Sequence, residues 1–143
     1  MELIITDNIT EALIDDTISF VLKQKQLYPN FNEWVYDKLK PRLLNGDCKG
    51  TVIISDNKVV GNCLYYDYAD KIEIKNLRID KDYRNLYLGK MLLSSISHKN
   101  ITTDISVENF NAVKFFMMNG FEIEYADSLY RANQLEYIIR RSI

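Results

Sequence analysis

Apolar and polar positions along this chain follow two rhythms, and the switches between them divide it into elements. Residues 2–6 read as a short strand. From about 10 to 25 the set Leu13, Ile14, Thr17, Ile18 and Val21 recurs at i, i+3 and i+4, the spacing of one helix face, and Asn8 or Thr10 can cap its start. Tyr28-Pro29-Asn30 breaks it. A second helix follows with Trp34, Val35, Leu39, Leu43 and Leu44 as its apolar face. Pro41 stands inside it, although an interior proline costs about 3 kcal/mol and tends to kink or end a helix. Residues 51–55 and 59–66 then read as the arms of a β-hairpin turned by Asp56-Asn57-Lys58.

A third strand over 71–79 extends this hairpin into an antiparallel meander, and its pattern changes phase. Ile72 and Ile74 put the apolar set on even numbers, whereas Leu77 and Ile79 put it on odd ones. Strand side chains alternate with period two, so one extra residue near Asn76, a β-bulge, is the simplest repair. A helix over 87–98 follows, with Leu88, Met91, Leu92 and Ser95 on one face. Residues 101–107 alternate as a strand, 109–118 form a short helix, and Asn119-Gly120 is a left-handed stop. Residues 121–125 and 135–139 are two final strands joined through Asp127-Ser128 and Asn133. The expected fold is α/β with a mixed sheet, in the order β-α-α-β-β-β-α-β-α-β-β, with a bulged central strand and one domain over 1–143.

The chemistry concentrates where the third strand meets the next helix. The first N–H groups of a helix lack intrahelical partners and carry the positive end of its dipole, so a strand running straight into one is a receptacle for phosphate. The run Arg84-x-x-Tyr87-x-Gly89 resembles the Arg/Gln-x-x-Gly-x-Gly/Ala signature of GNAT N-acetyltransferases. About twenty residues on, Asn109-x-x-Ala112-x-x-Phe115-Phe116-x-x-x-Gly120-Phe121 is similar to a second segment of that family. Ala112 would let its helix approach closely, Phe115 would be core, and Gly120 would end the helix before the strand at Phe121. The element order agrees with the GNAT fold over nearly the whole chain.

The resemblance implies a cosubstrate, acetyl-CoA, and a site. The strands over 71–79 and 101–107 would splay, with the pantetheine arm bonding to the main chain of Leu77, Arg78 and Ile79. The amides of Arg84, Asn85, Leu86, Tyr87, Leu88, Gly89 and Lys90 would hold the pyrophosphate, and Asn109 and Phe116 would lie beside the cofactor. The Leu77 amide, at the bulge, would polarise the thioester carbonyl, since a donor aimed at a developing oxyanion is often the largest catalytic contribution. Glu73 falls where several GNAT enzymes carry a general base, which an amine of pKa near 10.4 requires; pairing with Lys71 or Lys75 on a solvated face is its plainer role. Asp67 and Asp70 with Tyr65, Tyr66 and Tyr68 could form an anionic, aromatic mouth for a cationic amine, or the tyrosines could simply pack on both sides of the strand. Trp34 could line the acceptor pocket or the core.

Two positions depart from the family pattern. Tyr87 replaces the first glycine of the phosphate turn, a costly exchange if the backbone there takes positive φ. Phe116 replaces a tyrosine that protonates the leaving thiolate in many members, leaving water, another tyrosine such as Tyr125, or unprotonated release. The expected activity is acetyl transfer from acetyl-CoA to a primary amine of a small molecule or protein. An acyl-CoA-binding regulator or partner-binding module with little turnover is the alternative, favoured by Tyr87 and Phe116.

Composition narrows the field only a little. A net charge of −2 and pI near 5.4 argue against general nucleic-acid affinity, and so against a toxin-like transferase acting on charged tRNA. Cys48, Cys63 and the single His98 lack the spacing of a metal site or disulfide framework, and the cysteines read as buried small side chains. No apolar run approaches the roughly 20 residues of a membrane span, and Met1 leads directly into a strand, so a cytoplasmic monomer or homodimer is expected.

Overall fold

The computed structural model describes residues 2–24, 28–84, 87–96 and 98–143. Seven strands form one sheet: β1 (Leu3–Thr6), β2 (Cys48–Ser55), β3 (Lys58–Asp67), β4 (Lys71–Ile79), β5 (Asn100–Ser106), β6 (Glu122–Arg131) and β7 (Gln134–Arg141). Their spatial order is β1-β2-β3-β4-β5-β7-β6. Every neighbouring pair is antiparallel except β4 and β5.

Helix α1 (Glu11–Leu22) starts at Thr10, whose hydroxyl accepts from the Leu13 amide. The second helical run is continuous from Phe31 to Asn45 but has three parts, α2 (Phe31–Trp34), a π turn (Val35–Leu39) and α3 (Lys40–Asn45). Pro41 explains the π turn. Its ring would meet the carbonyl four residues back in a straight α-helix, and the wide turn ending just before it, closed by Lys40 N–H to the Val35 carbonyl, relieves that conflict. Val35, Leu39 and Leu43 stay on one buried stripe, but Leu44, expected on the same face, is exposed.

Helix α4 (Leu88–Ser95) corrects a second face. Leu88, Leu92, Leu93 and Ile96 are buried and Met91 is exposed, whereas the Ser95 hydroxyl lies 3.3 Å from that of Thr51 on β2. Helix α5 (Phe110–Met118) begins at Asn109, whose side chain accepts from the Ala112 amide, and ends before Gly120 at φ 86°. Phe115 packs half-buried against the first core as expected, and Phe116 is the more deeply buried ring, seated edge-on to Phe115 and Phe121. Asp127 and Ser128 lie within β6 beside a register shift, not in the turn.

Helices cover both faces of the sheet. Helices α4 and α5 close one core around Ile72, Leu92, Ile101 and Phe121; α1 and the π-containing run close the other around Val21, Val35, Leu39 and Leu64. Tyr65 joins the first core and Tyr66 the second, as alternation on β3 requires. No helix among the described residues is long and apolar enough to cross a membrane.

Candidate active site

Strand β4 carries one residue too many for its neighbour. Leu64 faces Asn76 and Tyr65 faces Ile74, so Lys75 is the extra residue of a bulge. The bulge resolves the phase change in the sequence: Ile72 and Ile74 before it, and Leu77 and Ile79 after it, all reach the α4/α5 core. On its other side β4 meets β5 over a short parallel ladder, Lys71–Glu73 against Asn100–Thr102. The Thr103 hydroxyl donates to the Ile74 carbonyl at 3.0 Å, and no ladder joins the two strands beyond that point among the described residues. Strand β5 stays paired on its far side to β7 through Ser106. A gap therefore opens between β4 and β5 level with the bulge, flanked by the main chain of Leu77, Arg78 and Ile79.

The phosphate-type turn lies past the end of β4. The Asp80 amide donates to the Val60 carbonyl at 2.8 Å, and the Asp80 carboxylate accepts from the Asp82 amide at 2.9 Å, fixing a 3₁₀ turn over Lys81–Tyr83. Arg84 folds back to donate to the Ile79 carbonyl at 3.3 Å. Asn85 and Leu86 lie outside the described residues. Tyr87 takes left-handed angles, φ 60° and ψ 16°, and provides no capping side chain for α4. The leading amides of Leu88, Gly89 and Lys90 thus start a helix with no side-chain cap among the described residues, a suitable seat for an anion. Gly89 is required by packing: a Cβ there would come within 2.9 Å of the Phe115 ring, so glycine lets α4 lie against α5. Tyr87, Lys90, Met91 and Ser94 line a shallow depression of about 510 Å³ on the outer side of this helix.

The α1 side of the gap is polar. Glu73 and Lys75 point there and form an ion pair at 2.5 Å, with the Lys75 ammonium 5.0 Å from the Tyr66 ring centre. Across the gap on β5, Asp104 accepts from the Tyr130 hydroxyl at 2.7 Å. Tyr130 stands edge-on to Tyr28 at 5.1 Å, and the Tyr28 oxygen accepts from the Ser106 amide at 3.3 Å. Glu136 on β7 is fully buried, held by the Leu129 amide and the Gln134 side chain, each at 3.1 Å. Burial pushes the Asp104 carboxyl up, partly offset by the Tyr130 bond. Burial and the Asp104 charge push the Tyr28 phenol up to about 12 and the Tyr130 phenol further. Among the described residues no ion pair includes Asp104 or Glu136.

These four residues, Tyr28, Asp104, Tyr130 and Glu136, were not expected from the sequence. Asp104 left the clearest signal, because Ile101, Thr103 and Ile105 set one face of its strand and put this acid on the other. The anionic mouth expected around Asp67 and Asp70 is instead a clasp. Lys99 at 2.6 Å and Lys49 at 3.2 Å neutralise Asp67 and hold its carboxyl below the usual range. Arg42 donates to the Tyr66 hydroxyl at 2.5 Å, and Asp70 is exposed. Trp34 is half-buried against the second core, 5.9 Å from Phe31. Both cysteines are buried, and burial pushes the Cys48 thiol up to about 12 and the Cys63 thiol beyond it, which removes them as nucleophiles.

A mixed sheet opened beside a bulge, with a helix N-terminus beyond it, defines the architecture of an acyltransferase scaffold. A protein of the GNAT family from Desulfovibrio desulfuricans superposes with TM-score 0.83 at 13% identity, covering 99% of each chain. The PaiA N-acetyltransferase of Thermoplasma acidophilum, solved with coenzyme A, gives 0.75 at 18% identity over 100% of both chains. The ribosomal-protein-S18-alanine N-acetyltransferase of Escherichia coli gives 0.78 at 13% identity, covering 99% of this chain and 94% of that one. At such identities the likeness establishes the fold. No curated protein sequence matches the chain. The model of the acetyltransferase (GNAT) family matches residues 11–121, and the chain belongs to that family.

Proposed function

We propose that this protein transfers the acetyl group of acetyl-CoA to a primary amine that is cationic when free, on a small molecule or a protein. The observation that carries the reading is the coincidence, on β4, of the bulge with the end of the parallel ladder, followed by a helix start that no described side chain caps. In this reading the pantetheine arm pairs with the main chain of Leu77, Arg78 and Ile79. The pyrophosphate meets the turn from Arg84 to Lys90, with Asn85 and Leu86 part of it. Asn109 and Phe116 flank the cofactor.

The amine enters from the α1 side, where Asp104 and Glu136 attract a cation and Tyr28 and Tyr130 give it aromatic walls. Glu73 accepts the proton, directly or through water, and the neutral nitrogen attacks the thioester carbonyl. The Leu77 amide donates to the developing oxyanion; removing such a donor typically costs about 100- to 1,000-fold in kcat. The C–S bond then breaks and the thiolate takes a proton. Phe116 has none to give, and Tyr125 is exposed on β6, separated from β5 by β7. Water, or release as the thiolate, completes the step.

Phe116 also favours a second reading, a protein that binds acyl-CoA with little turnover. Titration calorimetry with acetyl-CoA and CoA, followed by an amine screen that reads released thiol, separates the two. Micromolar binding and turnover that Glu73→Gln reduces by 100-fold or more support the enzyme. Binding without turnover selects the second reading, and no binding by either ligand defeats both.

A further inference from the structure

We infer that the segment closing α1 positions the Leu77 amide, through Gln24 just past the helix end and Asn76 on β4, so that Gln24 sets the rate of acetyl transfer without touching either substrate. The inference rests on the acetyltransferase reading above and adds Gln24, Asn62 and Asn76, which that reading does not use.

Leu77 sits between two residues gripped from the same side. The Asn76 amide group donates to the Gln24 side-chain oxygen at 2.7 Å, just past the end of α1. The Arg78 guanidinium donates to the Phe20 carbonyl in the last turn of that helix and lies 4.5 Å over the Phe20 ring. A cation at a helix C-terminus is favoured by the dipole, so this grip is oriented as well as tight. Asn62 on β3 completes the chain, donating to the Asn76 side-chain oxygen at 3.1 Å and to its carbonyl at 3.3 Å.

Asn62 is fully buried, and its amide group closes this chain of side-chain bonds inside the sheet. A connected buried amide network specifies position as well as adding stability. What it fixes is the peptide at the bulge, where an extra residue leaves the backbone azimuth free to vary. Leu77 lies one residue beyond Asn76, and its N–H is the proposed oxyanion donor.

The test compares Gln24→Met, which keeps the length and loses the acceptor, with Gln24→Glu, which keeps the acceptor. Steady-state kinetics with acetyl-CoA and an amine found by the screen are read beside amide hydrogen exchange at 75–78. Expected for Gln24→Met are a kcat about tenfold lower, KM for acetyl-CoA within about twofold, and faster exchange at the bulge; Gln24→Glu should restore all three. Unchanged kcat in Gln24→Met, or an equal fall in both variants, overturns the inference while the acetyltransferase reading stands. A wild type that binds acetyl-CoA but turns over no amine overturns both.

Discussion

Replacing Tyr87 by glycine should make the protein more stable, because this position holds a bulky residue in the left-handed region. Its φ of 60° and ψ of 16° place its Cβ against the following carbonyl, at roughly 1–2 kcal/mol for a non-glycine residue. The glycine variant removes that strain but gains unfolded-state entropy worth about 0.5–1 kcal/mol. The tyrosine ring offsets little, being 79% exposed. The net expectation is a gain of about 0.5–1 kcal/mol. For 143 residues the unfolding entropy near the midpoint is about 300 cal/mol/K, so Tm should rise by roughly 2–3 °C. Tyr87→Ala is the control, since it loses the ring and keeps the strain; it should stay within about 0.5 kcal/mol of wild type. Tyr87→Val should be the least stable, because β-branched side chains tolerate positive φ worst. Thermal unfolding followed by circular dichroism reads the series. A glycine variant no more stable than the alanine variant would refute the strain argument and assign Tyr87 a contact that its exposure hides.

Three further outcomes follow from the same geometry. Gly89→Ala should destabilise by about 1 kcal/mol or more, measured by urea unfolding, and weaken CoA binding in calorimetry, because its methyl group would press on Phe115; adding Phe115→Leu should recover part of both. Asp67 has its pKa lowered by Lys99 and Lys49, so its contribution is present above the unfolded carboxylate pKa near 3.9 and lost as pH falls through the lower folded value. Asp67→Asn should therefore flatten the acid limb of a stability-against-pH curve. Asp104 has the opposite sign: its folded pKa is raised, so the folded state holds the extra proton and stability declines as pH rises from the unfolded towards the folded value. Asp104→Asn, which can still accept from Tyr130, should be more stable than wild type at pH 7 and show a higher KM for the amine.

Much of this fold was legible because local signals agreed with one another. The period-two runs, the Asp56-Asn57 turn with φ of 50° and 63°, the Asn109 cap and the Gly120 stop each point to the element found. The bulge was legible for a different reason: alternation is strict, so a phase change between Ile74 and Leu77 has few explanations. Helix faces were read less well. Leu44 and Met91 turn outward because a π turn or a shifted start rotates the stripe by an amount that periodicity cannot give. The polar cluster proposed for the acceptor was missed for a deeper reason. Tyr28, Asp104, Tyr130 and Glu136 come from four separate stretches, and only the β5-β7-β6 order and the register shifts in β6 bring them together. The mouth at Asp67 and Asp70 failed for the converse reason, since Lys49 and Lys99, far apart in sequence, meet at one carboxylate.

The two walls of the gap are built to different physical ends, and β4 divides them by phase. Its residues towards α4 and α5, Ile72, Ile74, Leu77 and Ile79, are apolar and join a core that spans five strands. Its residues towards α1, Glu73, Lys75, Asn76 and Arg78, are polar, and each is held by a named partner. The cofactor reading needs only main-chain groups and a helix start, which almost any side chains can supply once the bulge and Gly89 are in place. The amine reading needs specific carboxylates, and Asp104 shows the cost, since desolvation raises its carboxyl pKa although the Tyr130 bond and the Lys75 charge offset part of the rise. A scaffold so divided can exchange its acceptor by altering Tyr28, Asp104, Tyr130 and Glu136 while the other wall stays fixed. Acceptor identity should accordingly respond to substitutions at those four positions far more than CoA affinity does.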